Sequence, residues 1–196
     1  GANMGFDLTG LNPKNKKYKS PSNDLYENDK DKFFKELEKY HSQKGTYFRN
    51  NVWWWRPLAH YVLEYTKVID NGKKECWQYN DNSIIEHDEA NQIAKQLRYL
   101  IKSGHTKKFA KDWEARRKKI EKHNDKVEKE LEEHTKQVQT KMKNSNLAPK
   151  DFPKADHDKW ERIYKKRNND GSYPFSVENV REFAEFCENS GGFSIG

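Results

Sequence analysis

Hydrophobic and polar positions alternate at both ends of the chain. Near the start, "MGFDLTGLNP" sets Phe6 and Leu8 against Asp7 and Thr9 before Gly10 and Pro13, the two-residue period of a half-buried strand. "GGFSIG" at the other end sets Phe193 and Ile195 against Ser194, and the two segments are natural partners. An isolated strand pair is marginal in water, so further strands or helices must cover it.

Elsewhere the spacing is helical. Residues 14 to 28 read as a loop, after which Asn28 caps a helix to about residue 43 with Phe33, Phe34, Leu37 and Tyr40 inward and Gly45 past its end. Pro57 fits the first turn of a next helix, continued by Leu58, Tyr61, Val62 and Tyr65. Asp70 to Gly72 read as a turn, with a short extended segment through Cys76, Trp77 and Tyr79. Over residues 87 to 103, Ala90, Ile93, Ala94, Leu97, Leu100 and Ile101 recur at three and four, and Gly104 follows. Ser176 caps a final helix whose inner stripe is Val180, Phe183, Ala184 and Cys187, released by Gly191 and Gly192.

Residues 106 to 144 contain neither Gly nor Pro and predict one helix of roughly 58 Å. Its apolar seam of Phe109, Trp113, Ile120, Val127, Leu131, Val138 and Met142 is narrow enough for a single partner helix. Residues 156 to 167, with Trp160, Ile163 and Tyr164 inward, supply that partner after the "NLAPKDFP" turn. The expected fold is helix-dominated α+β: residues 4–104 with 170–196 form a compact core, and 105–169 form a charged helical-hairpin arm.

Composition explains why an arm is needed. Of 196 residues only 33% are hydrophobic and 35% are charged, with mean hydropathy −1.30, too little to supply one large core. Aromatic residues reach 13%, which argues against disorder. Gly1, Ala2 and Asn3 precede the first Met and read as a remnant of expression. No apolar run approaches the ~18 residues of a membrane span, so no membrane partner is expected. Cys76 and Cys187 lack metal-ligand spacing and are expected to be free thiols.

The net charge of +7 is unevenly placed. Residues 106–122 carry 8 basic against 3 acidic residues, and the rest of that helix is neutral. At about 100° per residue, Lys108, Lys111, Lys118, Lys119 and Lys122 share one face nearly opposite the apolar seam. Such a face either meets a phosphate backbone or an acidic protein, or is simply solvated.

"GTYFRNNVWWWRPL" raises the question of chemistry. On a helix three consecutive tryptophans point three ways, and on a strand two oppose the third, so at least one approaches the surface. Trp53, Trp54 and Trp55 offer flat contact area; Arg49 and Arg56 can bind phosphate or carboxylate; Asn50 and Asn51 add amides; His60 lies one turn beyond Arg56. These eight residues form either a recognition site for a protein or a planar anion, or a core segment capped by an asparagine. The histidines make no catalytic constellation: His87-Asp88-Glu89 and His157 sit at helix starts, and His123 and His134 flank the long helix's seam. No catalytic residue, cofactor or metal is expected, and the balance favours a protein that is not an enzyme.

The stretches "GFDLTGLNP", "GTYFRNNVWWWRPL" and "YPFSVENVREFAEFCENSGGF" resemble an uncharacterised family of small proteins encoded by bacteriophages and prophages. The resemblance spans both ends and about residues 45–104. Relatives often carry paired, zinc-ribbon-like cysteines in the middle, which this sequence lacks. The resemblance implies an accessory protein in the cytoplasm of an infected bacterial cell. The expected function is binding that blocks or redirects a host protein, with sequestration of a small nucleotide as a variant and nucleic-acid binding through the lysine face as the alternative.

Overall fold

The computed structural model describes residues 4–196, so the reading of Gly1, Ala2 and Asn3 lies outside the described residues. The fold is helix-dominated α+β, with a small antiparallel sheet. The chain divides into two compact units, Gly1–Lys111 with Tyr173–Gly196, and Asp112–Ser172.

In the first unit, the alternating N-terminal segment forms β1 (Gly5–Gly10) and the C-terminal one forms β4 (Phe193–Ile195). They pair antiparallel, with Leu8 opposite Ile195 and Thr9 opposite Ser194. β2 (Tyr47–Asn51) and β3 (Ser83–Ile85) complete an antiparallel sheet in the order β2-β1-β4-β3. Phe6, Leu8, Phe48, Ile85, Phe193 and Ile195 are buried, so the period-two pattern directs one face of the sheet inward.

That face is covered by helices. α3 (Val52–Thr66), α5 (His87–Lys102) and α8 (Val177–Ser190) bury Leu58, Val62, Ile93, Leu97, Val180 and Phe183. α5 and α8 are also joined through a forked pair, in which Arg98 donates from Nε and Nη2 to the two Glu188 oxygens at 2.7 and 3.1 Å. This holds the Glu188 carboxyl below its ordinary range. Ser176 caps α8 as expected, accepting from Asn179 N at 3.1 Å. Burial pushes the Cys187 thiol well up, and both cysteines are free.

Several expectations are corrected. The presumed loop contains α1 (Asn23–Asn28), so Asn28 ends one helix and Asp29 caps the next, α2 (Lys30–His41), by accepting from Lys32 N. No α2 residue is fully buried; Phe34 is exposed and meets Tyr26 and Phe33 edge to face. α3 begins five residues before Pro57, because β2 pairs with β1 as far as Asn51 and hands the chain directly to a helix. Tyr65 of α3 is exposed rather than continuing its buried stripe. The segment through Cys76 and Trp77 is not extended: α4 (Asn71–Lys74) leads into a 3-10 turn at Glu75–Gln78, and the strand lies later, at β3. Gly45 adopts φ +85°, and a side chain there would collide with the Asn189 backbone.

The long helix α6 spans His105–Lys141 and carries the chain into the second unit. There it is accompanied by α7 (Lys154–Tyr164). Val127, Leu131 and Ile163 are buried together, with Trp160 packed against them. Partners run in opposite chain directions: Lys141 meets Asp156, His134 the Asp156 carbonyl, Glu130 meets Lys166, and Asn124 exchanges hydrogen bonds with Asn168. This is the antiparallel hairpin that the narrow seam predicts. Tyr164 and Met142 are exposed, contrary to expectation; Tyr164 instead stacks on Trp160 at 5.1 Å.

Candidate functional site

The quoted tryptophan segment is a strand running straight into a helix, and each of its residues acquires its surroundings from that junction. On β2, Arg49 stands opposite Asp7 of β1, and its Nη1 donates to both Asp7 oxygens at 2.7 Å. The Tyr47 hydroxyl also donates to Asp7, and His41 stacks on the Tyr47 ring at 4.2 Å. Burial pushes the Tyr47 phenol up, with Asp7 adding to it, whereas burial lowers His41 against the pull of Asp7. Hydrogen bonding to Asp7 raises the Arg49 guanidinium further. A side-chain carbon on Gly5 would stand 2.5 Å from Arg49 Nη2, so glycine there leaves room for this cluster.

The asparagines are likewise committed. Asn50 and Asn179 exchange amide hydrogen bonds at 3.1 and 2.9 Å, tying β2 to α8. Asn51 caps α3, its Oδ1 accepting from Trp54 N at 3.1 Å. Its cap geometry, extended at φ −69° and ψ 167°, lets the strand end and the helix begin on adjacent residues.

Helical spacing then separates the three tryptophans. Trp55 is fully buried, stacked on Phe6 at 5.3 Å and on Trp77 at 5.6 Å, and its Nε1 donates to the Trp77 carbonyl at 2.7 Å. Trp54 is half-buried. Trp53 is 44% exposed and lies against Tyr173, ring centres 4.9 Å apart. Arg56 donates from Nη1 to the Tyr173 hydroxyl at 3.4 Å. Trp53, Arg56 and His60 stand at i, i+3 and i+7, hence on one face of α3, and Arg56 and His60 are both exposed. Of the eight residues singled out from sequence, the structure therefore groups Trp53, Arg56 and His60, gives Arg49, Asn50, Asn51 and Trp55 internal partners, and leaves Trp54 between the two sets.

Tyr173 is the contact residue that sequence reasoning missed. It precedes the predicted final helix by four residues, and only the return of the chain to the first unit brings it beside Trp53.

Lys108, Lys111, Lys118, Lys119 and Lys122 are all exposed on α6, and among the described residues none stands within 4.0 Å of a carboxylate. The neighbouring arginines differ: Arg116 pairs with Asp170 and Arg117 with Glu114.

The histidines have local partners. His87 bonds Asn91 one turn on, His123 reaches the Lys166 carbonyl, and His134 is buried. Glu86 and Glu89 form a capping box at the start of α5. On α7, ligand atoms of His157, Asp158 and Glu161 lie within 4.8 Å of one another, as a metal would need, yet Asp158 also faces Lys154 at 3.4 Å. Among the described residues no helix is long and apolar enough to cross a membrane. Compared with known proteins, the chain matches no family model, no curated protein and no solved structure.

Proposed function

We propose that this chain is a non-enzymatic binding protein, a phage accessory protein that blocks or redirects a host protein through the face of α3 bearing Trp53, Arg56 and His60, with Tyr173 beside them. The observation that carries the reading is the half-exposed Trp53 indole, braced by Tyr173 and Arg56 and two residues from the anchored Trp55. Trp, Tyr and Arg dominate interface hot spots because they bury much area for little lost rotamer freedom. A rigid base lowers the ordering cost further. The phage setting rests on the sequence resemblance alone. A small nucleotide is the variant ligand, its base on the indole and its phosphate on Arg56.

Affinity capture from bacterial lysate, with and without nuclease, tests this by comparing wild type with a folded Trp53→Ala/Arg56→Ala double variant. A nuclease-resistant host protein held by wild type and lost by the variant supports the reading. Equal retention by both removes α3 as the site.

One observation favours a second reading, nucleic-acid binding by α6: its lysine face has no carboxylate partner among the described residues. That reading expects affinity to fall steeply with salt, with a log–log slope of about −0.9 per phosphate contact, and to vanish when Lys111, Lys118 and Lys122 are reversed to Glu.

A further inference from the structure

We propose that the free edge of β3 is a docking site for an extended peptide that carries an apolar side chain and, on the same face two residues away, an acidic one. Among the described residues β3 is the last strand of the sheet and pairs on one side only, with β4. On such an edge, alternate N–H and C=O groups point away from the sheet and can pair with another strand. Natural edges are commonly guarded by charge or proline, but Ser83-Ile84-Ile85 has neither, and Ile84 is 53% exposed.

A pocket of about 210 Å³ adjoins this edge, lined by Ile69, Lys73, Cys76, Trp77 and all three β3 residues. Successive strand side chains point to opposite faces, so a pocket touching all three must run alongside the strand. β4 occupies one side, which leaves the free edge. The volume suits one apolar side chain, since a cavity of about 150 Å³ already accepts benzene.

Among the described residues Lys73 is the only charged one in that lining. Its ammonium is half-exposed and only loosely held by Glu89, at 3.4 and 3.5 Å, which leaves it able to meet a carboxylate on the incoming peptide. The three features select one kind of occupant. A helix or a nucleic-acid duplex has already satisfied its own hydrogen bonds, whereas an extended backbone brings the groups the edge lacks, and strand addition combines such pairing with side-chain pockets. The site is independent of the α3 face.

The test uses the full chain, labelled for amide NMR, titrated with acetylated five-residue probes of threonine-valine-X-valine-glutamate in which X is phenylalanine, leucine or valine. Saturable shifts at Ser83–Ile85 and at the Trp77 indole are expected with at least one probe. N-methylating alternate probe amides removes two backbone hydrogen bonds and should weaken binding by at least about tenfold. Cys76→Trp, which fills the pocket, should abolish saturation. Lys73→Gln, which removes the charge at a half-exposed position without setting a carboxylate against Glu89, should weaken binding by about threefold or more and covers the case in which the tryptophan variant fails to fold. No saturation by any probe at millimolar concentration, shifts confined to Tyr47–Asn51 on the opposite edge, or equal binding by the N-methylated probes would overturn the proposal.

Discussion

In the first unit, Trp55 stands in a stack of aromatic rings between Phe6 and Trp77, with Phe183 edge-on. In the second, Val127, Leu131 and Ile163 form a seam with Trp160 alongside. The sheet unit concentrates scarce apolar material into a few large rings that meet from distant parts of the chain. The hairpin spreads smaller side chains along a line and is flanked by exposed ion pairs such as Lys166 with Glu130 and Arg167 with Glu128. Exposed pairs contribute only ~0–1 kcal/mol each, so the seam carries most of the hairpin's stability. A hydrophilic chain can therefore fold in two ways, by a compact aromatic core or by a long thin contact whose polar flanks are simply wet.

The difference breaks first at Trp55. Trp55→Ala removes a fully buried ring and orphans the Trp77 carbonyl, and is expected to cost about 3–5 kcal/mol in denaturant unfolding followed by near-ultraviolet dichroism. Leu131→Ala in the hairpin should cost somewhat less, about 2–4 kcal/mol, because one wall of a thin seam relaxes more readily than a closed core. Loss equal to that of Trp55→Ala would show that the seam is as tightly packed as the ring stack.

Acid should act on the sheet unit through Glu188. Its folded carboxyl is held below the unfolded value, chiefly by Arg98, so this stabilisation is present above the unfolded carboxylate range and is lost as pH falls through the depressed folded value. Glu188→Gln should thus be less stable than wild type at neutral pH, by no more than about 1 kcal/mol for so exposed a pair, and the gap should close on acidification. A gap that does not narrow as the pH is lowered would assign the loss to packing instead. The smallest effect belongs to Trp53→Ala, expected within about 0.5 kcal/mol of wild type, since its ring is half-exposed. Two tryptophans of the same helical turn would then differ by several kcal/mol, and a large loss at Trp53 would mean that its contact with Tyr173 serves folding rather than binding.

Much of this was legible in the chain. β1 and β4 were readable because each alternates cleanly, and α5, α8 and the hairpin because their stripes repeat over several turns. β3 was not, since three residues are too short to show a period and it becomes a strand only by pairing with β4. The start of α3 differs from the sequence expectation because Pro57 normally marks a first turn, whereas here it lies inside a helix that Asn51 caps six residues earlier. Of the candidate site, Arg56 and His60 were readable as one helical face; Tyr173, 117 residues from Arg56, was not.

Local spacing thus determined the elements and which side of each is apolar, because those follow from side-chain direction along a regular backbone. Tertiary structure alone decided which tryptophan enters the core, that Arg49 is taken by Asp7, and that Tyr173 supports Trp53. Each depends on the packing of segments far apart in sequence, and no local period encodes the register in which they meet.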